Sequence, residues 1–315
     1  MATDSAAVPV AQAISGKWYD DEALVSALPR RYRAYALYSH LVGNEGSRKI
    51  PGGSFLLRAL RTASAATGLP TAAHVRGIDG LVVVTDFADE RVLDVIHEIR
   101  GENPEYRVLR GLLSKGDTFV DVGANFGTFT LLTSRMVGDS GKVIAIEPQP
   151  NLARGIAESA RLSGSTNCEI LQVACGNLPG TSDLLVPAQD TGRGGFFAGF
   201  SGRGHHAVLP VKVATLDGIM SETTSPGGLV IKLDVEGSEI EVLQGARKLI
   251  EARRPAIIVE INPWSARAAG RSPGHLLDCL KEFGYSTFAT ISSFPDTVSR
   301  SGIETDRQSN VVVLP

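Results

Sequence analysis

The sequence is poor in cysteine, and its cysteines lack the spacing of a disulfide framework or a metal site. Only three occur among 315 residues, Cys168, Cys175 and Cys279, an odd number without a CxxC pair. We therefore expect neither structural disulfides nor a cysteine-bound zinc ion. Cys168 and Cys175 lie in or beside an apolar run, which predicts buried free thiols.

Long apolar runs and a strong excess of one charge are also missing. No stretch approaches the ~18 apolar residues of a transmembrane helix, and Met1 to Gly16 has neither a basic leader nor a strong apolar centre. The 31 basic and 34 acidic residues give a net charge of −3, which offers no overall field to nucleic acid or an anionic membrane. We expect a cytoplasmic protein without a nucleic-acid partner or integral membrane contact.

What the sequence does contain is a sustained alternation of strand and helix patterns. The predicted strands are Thr118–Asp121, Lys142–Ile146, Glu169–Val173, Val208–Val213, Leu229–Leu233, Ala256–Ile261, Ser286–Thr290 and Val311–Leu314. The predicted helices among them are Thr128–Met136, Asn151–Leu162, Ser238–Glu251 and His275–Phe283. This alternation predicts an α/β fold with a doubly wound parallel sheet, covered by helices on both faces.

The chain divides into two regions that differ in composition and sequence pattern. Residues 1–70 are rich in Ala, Arg and Leu and are interrupted by Gly and Pro, which predicts an irregular helical extension. Residues 71–315 form the predicted main domain, with its core beginning at about residue 113.

The most informative segment is Asp121-Val122-Gly123-Ala124-Asn125-Phe126-Gly127, between the first core strand and its helix. Gly123 and Gly127 would let the backbone approach a ligand at the helix N-terminus. Asn125 stands where a dinucleotide-binding fingerprint has its middle glycine. Asp121 would repel a pyrophosphate, whereas it would favour the sulfonium and ammonium of S-adenosyl-L-methionine. These four residues are candidate contacts of that cofactor.

Two further strand ends support an adenosine site. Glu147 ends the next strand and is followed by Pro148; in a doubly wound sheet an acidic residue there can accept both ribose hydroxyls. Ala174 follows the third strand, in a loop that would lie beside the adenine. Capping carboxylates and an ordinary structural loop are the alternative readings.

A cluster of carboxylates follows the buried strand Leu229–Leu233. Asp234, Glu236 and Glu239 occur within six residues, at the sheet edge where ligands bind. Charges at the end of an apolar strand need partners. We therefore predict catalytic roles for these three residues, with Asp234 also contacting the cofactor. In the alternative reading, Ser238 and Glu239 only cap the next helix.

In order and spacing, these motifs resemble the FkbM methyltransferase family. The segments that carry the resemblance are Val120–Gly127, Ile146–Pro148, Thr215-Leu216-Asp217, Ile231–Glu239 and Val242–Ala246. The resemblance covers roughly residues 77 to 315 and implies a class I methyltransferase fold, a Rossmann-like sheet of seven strands that ends in an antiparallel hairpin. It also implies methyl transfer to a hydroxyl of a small molecule such as a sugar, a glycolipid or a polyketide-like metabolite.

The acceptor side is less defined in the sequence. The glycine-rich segment Thr191–His206 could be a mobile substrate loop or a flexible hairpin. Its histidine pair has no third ligand at sensible spacing, so we expect no metal site. Glu260 is a further acceptor-side candidate. Core packing is expected for Trp264, with stacking on a sugar as the alternative.

Three other functions compete with this interpretation. A nicotinamide-dependent dehydrogenase shares the fold class, but Asp121 and the missing glycine disfavour it. A nucleic-acid methyltransferase is disfavoured by the Asp-Val-Glu-Gly turn after Leu233 and by the lack of a basic stripe. A non-catalytic adenosine-binding scaffold, with residues 1–70 as its partner surface, stays open.

Overall fold

A mainly parallel sheet organises the residues that the computed structural model describes, which are 7–8, 72–86, 89, 91–101, 103–187, 194–197, 206–221, 223 and 227–315. Its strands are β1 (Ala7–Val8), β4 (Thr118–Val122), β5 (Lys142–Ile146), β6 (Cys168–Leu171), β10 (Leu229–Leu233), β11 (Ala256–Ile261), β12 (Thr287–Thr290) and β13 (Ser309–Leu314). Their order is β1-β6-β5-β4-β10-β11-β13-β12, and β1 and β13 run in the opposite direction to the other six strands. From β4 onward these are the seven strands and the antiparallel final hairpin that were predicted.

Helices cover both faces of this sheet. They are α1 (Val92–Ile99), α2 (Pro104–Leu112), α3 (Thr128–Val137), α4 (Pro150–Ser163), α5 (Leu216–Met220), α6 (Glu239–Gln244), α7 (Arg247–Arg253), α8 (Pro263–Ala268) and α9 (His275–Glu282). Helices α1 to α4 contribute to one apolar layer and α5, α6, α7 and α9 to the other. The predicted α/β, doubly wound architecture is confirmed.

Alternate side chains along a strand contribute to the two apolar layers. In β4, Phe119 packs into the layer of α1 to α4, whereas Val120 and Val122 pack into the opposite layer. Successive side chains of a strand point to opposite faces. Burial on both sides therefore requires a continuous apolar run, as in β10 and β11, and the predicted bounds of both strands are confirmed.

Two smaller sheets flank the core. One pairs β2 (Ala72–Arg76) with β3 (Val82–Asp86), and β3 donates its Val82 and Val84 N–H groups to the Ser163 and Ser159 hydroxyls of α4 at 2.9 and 2.8 Å. The other has the order β7-β9-β8 and contains β7 (Ala174–Cys175), β8 (Gly180–Pro187) and β9 (His206–Ala214).

The predicted single helix Ser238–Glu251 is wrong, because the structure divides it into α6 and α7. The break falls at Gly245 and Ala246. A Cβ at Gly245 would lie 2.1 Å from the Gly176 carbonyl oxygen, so the chain changes direction where another backbone segment touches it. Gly245 itself was the local signal, because glycine disfavours a helix interior.

The predicted helical extension, residues 1–70, lies outside the described residues apart from β1, and the division into two domains stays a prediction. Within the described ranges, no helix has the length and apolar content needed to span a bilayer.

Candidate functional site

A pocket of about 370 Å³ opens at the carboxyl edge of the sheet. It is lined by Asp121, Gly123, Asn125, Glu147, Ala174, Asp234 and Glu236, among others. The structure therefore brings these predicted residues together, whereas the predicted residues Gly127 and Glu239 are not among those that line this pocket. The volume is in the range of small-molecule sites.

The glycine turn after β4 brings two loops into direct contact. Gly123 has a φ of 81°, and a Cβ there would lie 2.0 Å from the Asp234 carbonyl oxygen. Only glycine combines this conformation with so close an approach. The turn after β4 and the turn after β10 are thereby held side by side at the edge of the pocket.

Asn125 also has a left-handed backbone, with a φ of 52°. Asparagine tolerates that conformation better than most residues, and its side-chain oxygen accepts the Phe126 N–H at 3.0 Å. Its own N–H donates to Glu147 at 2.9 Å. Asn125 therefore links the glycine turn to the end of β5.

Gly127 packs against a helix. Its φ is 77°, and a Cβ there would lie 2.9 Å from the Ile156 side chain of α4. Its predicted contact with the cofactor stays a prediction. The close packing of α3 against α4 is sufficient to explain why this residue is a glycine.

Glu147 is buried and oriented by two backbone groups. Its Oε2 accepts the Asn125 N–H, and its Oε1 accepts the Gln149 N–H, both at 2.9 Å. Burial raises the pKa of this carboxyl to about 7, although the two backbone hydrogen bonds act in the opposite direction. Each carboxylate oxygen has a second lone pair with which to accept a hydroxyl.

Asp121 contains an unsatisfied oxygen. Its side chain is buried and its Oδ2 accepts the Thr130 hydroxyl at 2.7 Å, but its Oδ1 has no hydrogen-bond partner among the described residues. Burial raises its pKa, while Lys232 opposes that effect. A buried polar atom is rarely left unpaired in a native protein, so Oδ1 indicates a ligand that carries a donor or a positive charge.

Lys232 is a site residue that the sequence analysis missed. Its Nζ lies 2.8 Å from Asp234 Oδ2 and 5.0 Å from the centre of the Phe129 ring. Burial opposes its charge, but the neighbouring carboxylates, Asp234 first and Asp121 next, raise its pKa above the usual range. The sequence did contain a signal for this residue: a lysine within the apolar run of β10 must be buried, and a buried ammonium requires an anionic partner.

A carboxylate cluster occupies the other side of the pocket. Asp234, Glu236 and Glu260 each offer an oxygen within 4.8 Å of the other two. The Asn262 side-chain amide donates to Glu236 and to Glu260 at 3.4 Å, and Gln308 donates to Glu260 at 2.6 Å. Of the described residues, these three carboxylates form the group that could hold a metal ion, and oxygen ligands favour Mg²⁺ or Ca²⁺.

Burial and mutual repulsion determine the protonation of this cluster. Burial, with Glu260 and Asp234 nearby, raises the pKa of Glu236 to about 10. Burial, with Asp234 nearby, also raises the pKa of Glu260 to about 8. The Lys232 ammonium outweighs burial at Asp234 and lowers the pKa of that carboxyl. At neutral pH, Asp234 is therefore the ionised member and the two glutamates hold protons.

Glu239 supports the loop beneath the cluster. Its Oε1 accepts the Gly237 N–H at 3.1 Å and the Val235 N–H at 3.3 Å, and it lines a much smaller cavity beside the main pocket. Ser238 makes no side-chain cap to α6. The catalytic role of Glu239 stays a prediction, and its contacts favour holding the loop.

Other sequence candidates have different outcomes. Of Thr191–His206, the structure describes only Gly194–Phe197 and the backbone of His206; Gly194 and Phe196 line the pocket. Core packing of Trp264 is wrong, because its side chain is 60% exposed on α8. All three cysteines are free and buried; burial was predicted for Cys168 and Cys175.

The Thr215-Leu216-Asp217 motif holds two helices together. Asp217 accepts the Lys248 and Leu249 N–H groups of α7 at 3.1 and 2.8 Å, and Thr215 Oγ1 accepts the Gly218 N–H of α5 at 3.1 Å. Neither Thr215 nor Asp217 lines the pocket. The motif therefore caps helices, which accounts for its residue types without any contact with a ligand.

The fold and the pocket together define the class of protein. The sheet order from β6 to β12, with the antiparallel β13 inserted before its end, places a glycine turn and strand-end carboxylates around one pocket. These are the features of a class I, S-adenosylmethionine-dependent methyltransferase. The chain belongs to the FkbM methyltransferase family: the family model described as "Methyltransferase FkbM domain" matches residues 121–287, more than half of the sequence.

The individual relatives have low sequence identity to this chain. The hexuronic acid methyltransferase AglP of Haloferax volcanii is 26% identical over 196 residues, which are 62% of this chain and 74% of AglP. The crystal structure of a methyltransferase FkbM from Methylobacillus flagellatus is 17% identical with a TM-score of 0.38; the match covers 87% of this chain and 63% of that one.

A second solved structure is similarly distant. The match to a SAM-dependent O-methyltransferase from Thermotoga maritima has 12% identity and a TM-score of 0.37, and it covers 78% of this chain and 77% of that one. The family assignment depends on the family model and not on these structures.

Proposed function

We propose that the protein transfers the methyl group of S-adenosylmethionine to a hydroxyl oxygen of a small molecule, with a sugar, glycolipid or polyketide-like metabolite as acceptor. The observation that carries this proposal is a single pocket with two chemically distinct sides. One side has the glycine turn, Asp121 and Glu147, and the other has the cluster of Asp234, Glu236 and Glu260.

The first side fits the cofactor. The unpaired Asp121 Oδ1 is suited to a cationic group such as the ammonium or sulfonium. Glu147 would accept the ribose hydroxyls, because both of its oxygens are already oriented by Asn125 and Gln149. Gly123 keeps the turn open to the ligand, and the buried Ala174 lies where the adenine would contact the third strand.

The second side suits a hydroxyl acceptor. When bound, S-adenosylmethionine supplies an electrophilic methyl: the new oxygen–carbon bond forms as the methyl–sulfur bond breaks, and a methyl ether and S-adenosylhomocysteine result. A hydroxyl attacks more readily if a base takes its proton. Asp234 is the ionised candidate, and Lys232 holds it in position at 2.8 Å. Glu236 holds its own proton at neutral pH, so its proposed catalytic role is to hydrogen-bond the acceptor, whereas the position of Glu239 favours a supporting role.

The name of the relative AglP, a hexuronic acid methyltransferase, supports a sugar-derived acceptor without defining one. We also propose that the acceptor is a free small molecule and not nucleic acid. A non-catalytic scaffold is the alternative that an experiment must exclude, since membership of the family does not by itself demonstrate turnover.

Titration calorimetry with S-adenosylhomocysteine tests the first half of the proposal, with NAD as the matched negative ligand. We expect micromolar binding of the former alone. A screen with methyl-labelled S-adenosylmethionine and sugar or polyketide acceptors tests the second half. Binding without transfer to any acceptor, in a protein with unchanged folding, would favour the scaffold.

A further inference from the structure

A short segment beside the three-stranded sheet adds an aromatic ring to the pocket. Gly194 and Phe196 line the pocket, and Gly195 between them pairs with β8. Its N–H donates to the Leu185 carbonyl at 3.1 Å, and its carbonyl accepts the Leu185 N–H at 2.9 Å. These backbone hydrogen bonds fix the segment to the sheet, so the partly buried Phe196 is held at the edge of the pocket.

The ring of Phe196 belongs to the apolar part of the pocket. It packs against the small core cluster of Ala174, Leu184 and Val211, and two of these residues, Ala174 and Leu184, also line the pocket. The faces of an adenine stack on aromatic rings, whereas the hydroxyls of a sugar need hydrogen-bond acceptors such as carboxylates. This apolar wall therefore matches the base of the cofactor better than it matches a polyhydroxylated acceptor.

Phe197, the next residue, fixes the other end of the segment. A Cβ at Gly237, in the turn after β10, would lie 3.3 Å from Cδ2 of Phe197. The Arg271 guanidinium lies 5.9 Å from the centre of the Phe197 ring. Arg271 also donates to the Gly237 carbonyl at 3.3 Å and forms a bidentate ion pair with Glu241 of α6. A guanidinium that is paired along its edge keeps its face for an aromatic ring.

We propose that Phe196 forms one wall of the adenine site and that Arg271, acting through Phe197, positions it. The inference rests on the proposed function, which puts the adenine beside Ala174. It goes further by assigning the described part of the glycine-rich segment to the cofactor and not to the acceptor. Phe196 contacts the ligand, whereas Arg271 does not line the pocket and is a positioning residue.

Titration calorimetry of the full chain with S-adenosylhomocysteine and with 5′-methylthioadenosine tests the contact. The second ligand retains the adenosine and lacks the amino-acid end of the first. We expect Phe196→Ala to weaken binding of both ligands by about tenfold, a loss within the range of base stacking on an aromatic ring. Wild-type affinity of this variant for either ligand would overturn the assignment.

Two further variants make this test specific. Phe196→Leu keeps an apolar side chain against Leu184 and lacks the ring, so it should still lose about threefold in affinity, and it serves as the test if the alanine variant does not fold. Val208→Ala is the matched control, because Val208 is exposed on β9 of the same small sheet and outside the pocket. It should keep the wild-type affinity, and a loss equal to that of Phe196→Ala would overturn the assignment.

A double-mutant cycle tests the positioning role of Arg271. Arg271→Gln removes the face against which Phe197 lies, and it should weaken binding of S-adenosylhomocysteine by about threefold in the otherwise wild-type chain. In the Phe196→Ala background the same change should have no further effect, because the ring that Arg271 positions is absent. Equal losses in the two backgrounds, or no loss in the wild type, would overturn the positioning role.

Failure of this inference is distinguishable from failure of the proposed function. If S-adenosylhomocysteine binds and Glu147→Gln weakens that binding while Phe196→Ala does not, the ribose assignment stands and only this inference is overturned. If the wild type binds neither S-adenosylhomocysteine nor 5′-methylthioadenosine, both proposals fail.

Discussion

Among single residues, Glu147 couples the glycine turn to the end of β5. Its two oxygens accept the Asn125 and Gln149 N–H groups, so its orientation does not depend on flexible side chains. A hydrogen bond to a charged group contributes about 1.5–3 kcal/mol, so losing one to the proposed ribose would change the affinity measurably.

We expect Glu147→Gln to weaken binding of S-adenosylhomocysteine by about 10- to 100-fold. The wild-type affinity should also fall as pH decreases through about 7, because the pKa of Glu147 lies near that value and the protonated carboxyl loses acceptor capacity. The variant should show a much flatter pH dependence. Calorimetry between pH 6 and 8.5 measures both effects, and a wild-type dissociation constant in Glu147→Gln would remove the ribose assignment.

Gly123 shows how one missing Cβ positions the site. Alanine there would combine an unfavourable left-handed backbone with a contact of 2.0 Å to the Asp234 carbonyl. Gly164 is a matched control, because it has a φ of 65° and no atom within 4 Å of the added Cβ.

We expect Gly164→Ala to cost about 1–2 kcal/mol of unfolding free energy, from backbone conformation alone. Gly123→Ala should cost at least about 2 kcal/mol more, since the loops must also move apart. Urea denaturation measures both values. Equal losses would mean that the contact with Asp234 does not constrain the turn.

For whole elements, the junction of α5 with α7 is the most informative case. Asp217 lies on α5 and accepts two N–H groups at the start of α7. It therefore replaces a cap that the chain just before α7 does not provide, since Ala246 makes no side-chain cap.

Asp217→Ala should lower the unfolding free energy by about 1 kcal/mol, the usual value of a lost cap. Asp217→Asn should retain most of it, because the amide oxygen still accepts. Both variants should bind S-adenosylhomocysteine with wild-type affinity. A change in affinity larger than the change in stability would show that the motif acts on the pocket.

For the molecule as a whole, the carboxylate cluster opposes folding. Glu236 faces Glu260, Asp234 and Glu239, with Arg91 as the opposing positive charge. Its folded-state pKa of about 10 exceeds the value of an unfolded glutamate. Its contribution to stability is therefore complete below about pH 4.5 and is lost as pH rises toward the folded-state pKa.

We expect Glu236→Gln to raise the melting temperature at pH 8 by about 2 °C or more, corresponding to roughly 1 kcal/mol. The difference should diminish toward pH 4.5, where the wild-type carboxyl is protonated in both states. Turnover should fall in the same variant, a trade of activity for stability common at active sites. Calorimetric melting of both proteins at several pH values measures this difference. An unchanged melting temperature at pH 8 would mean that other groups already offset the repulsion within the cluster.

Much of the site was predictable because strand ends are local features. The apolar runs determine where β5, β10 and β11 end, and their predicted bounds are confirmed. Glu147 and Asp234 follow such runs, and Asp121 lies one residue before the end of β4, so the rule that ligands bind at the carboxyl edge of the sheet was enough to expect them together.

The sequence by itself determined the order of strands and helices and the placement of acidic residues at strand ends, because hydrophobic periodicity and turn residues act over short distances. Tertiary structure alone decided the rest. The parallel register opposes Lys232 to Asp121, packing brings Glu260 within reach of Glu236, and the backbone of Gly176 approaches Gly245 too closely for a side chain. Each of these depends on segments distant along the chain, whose proximity is determined only when the sheet assembles.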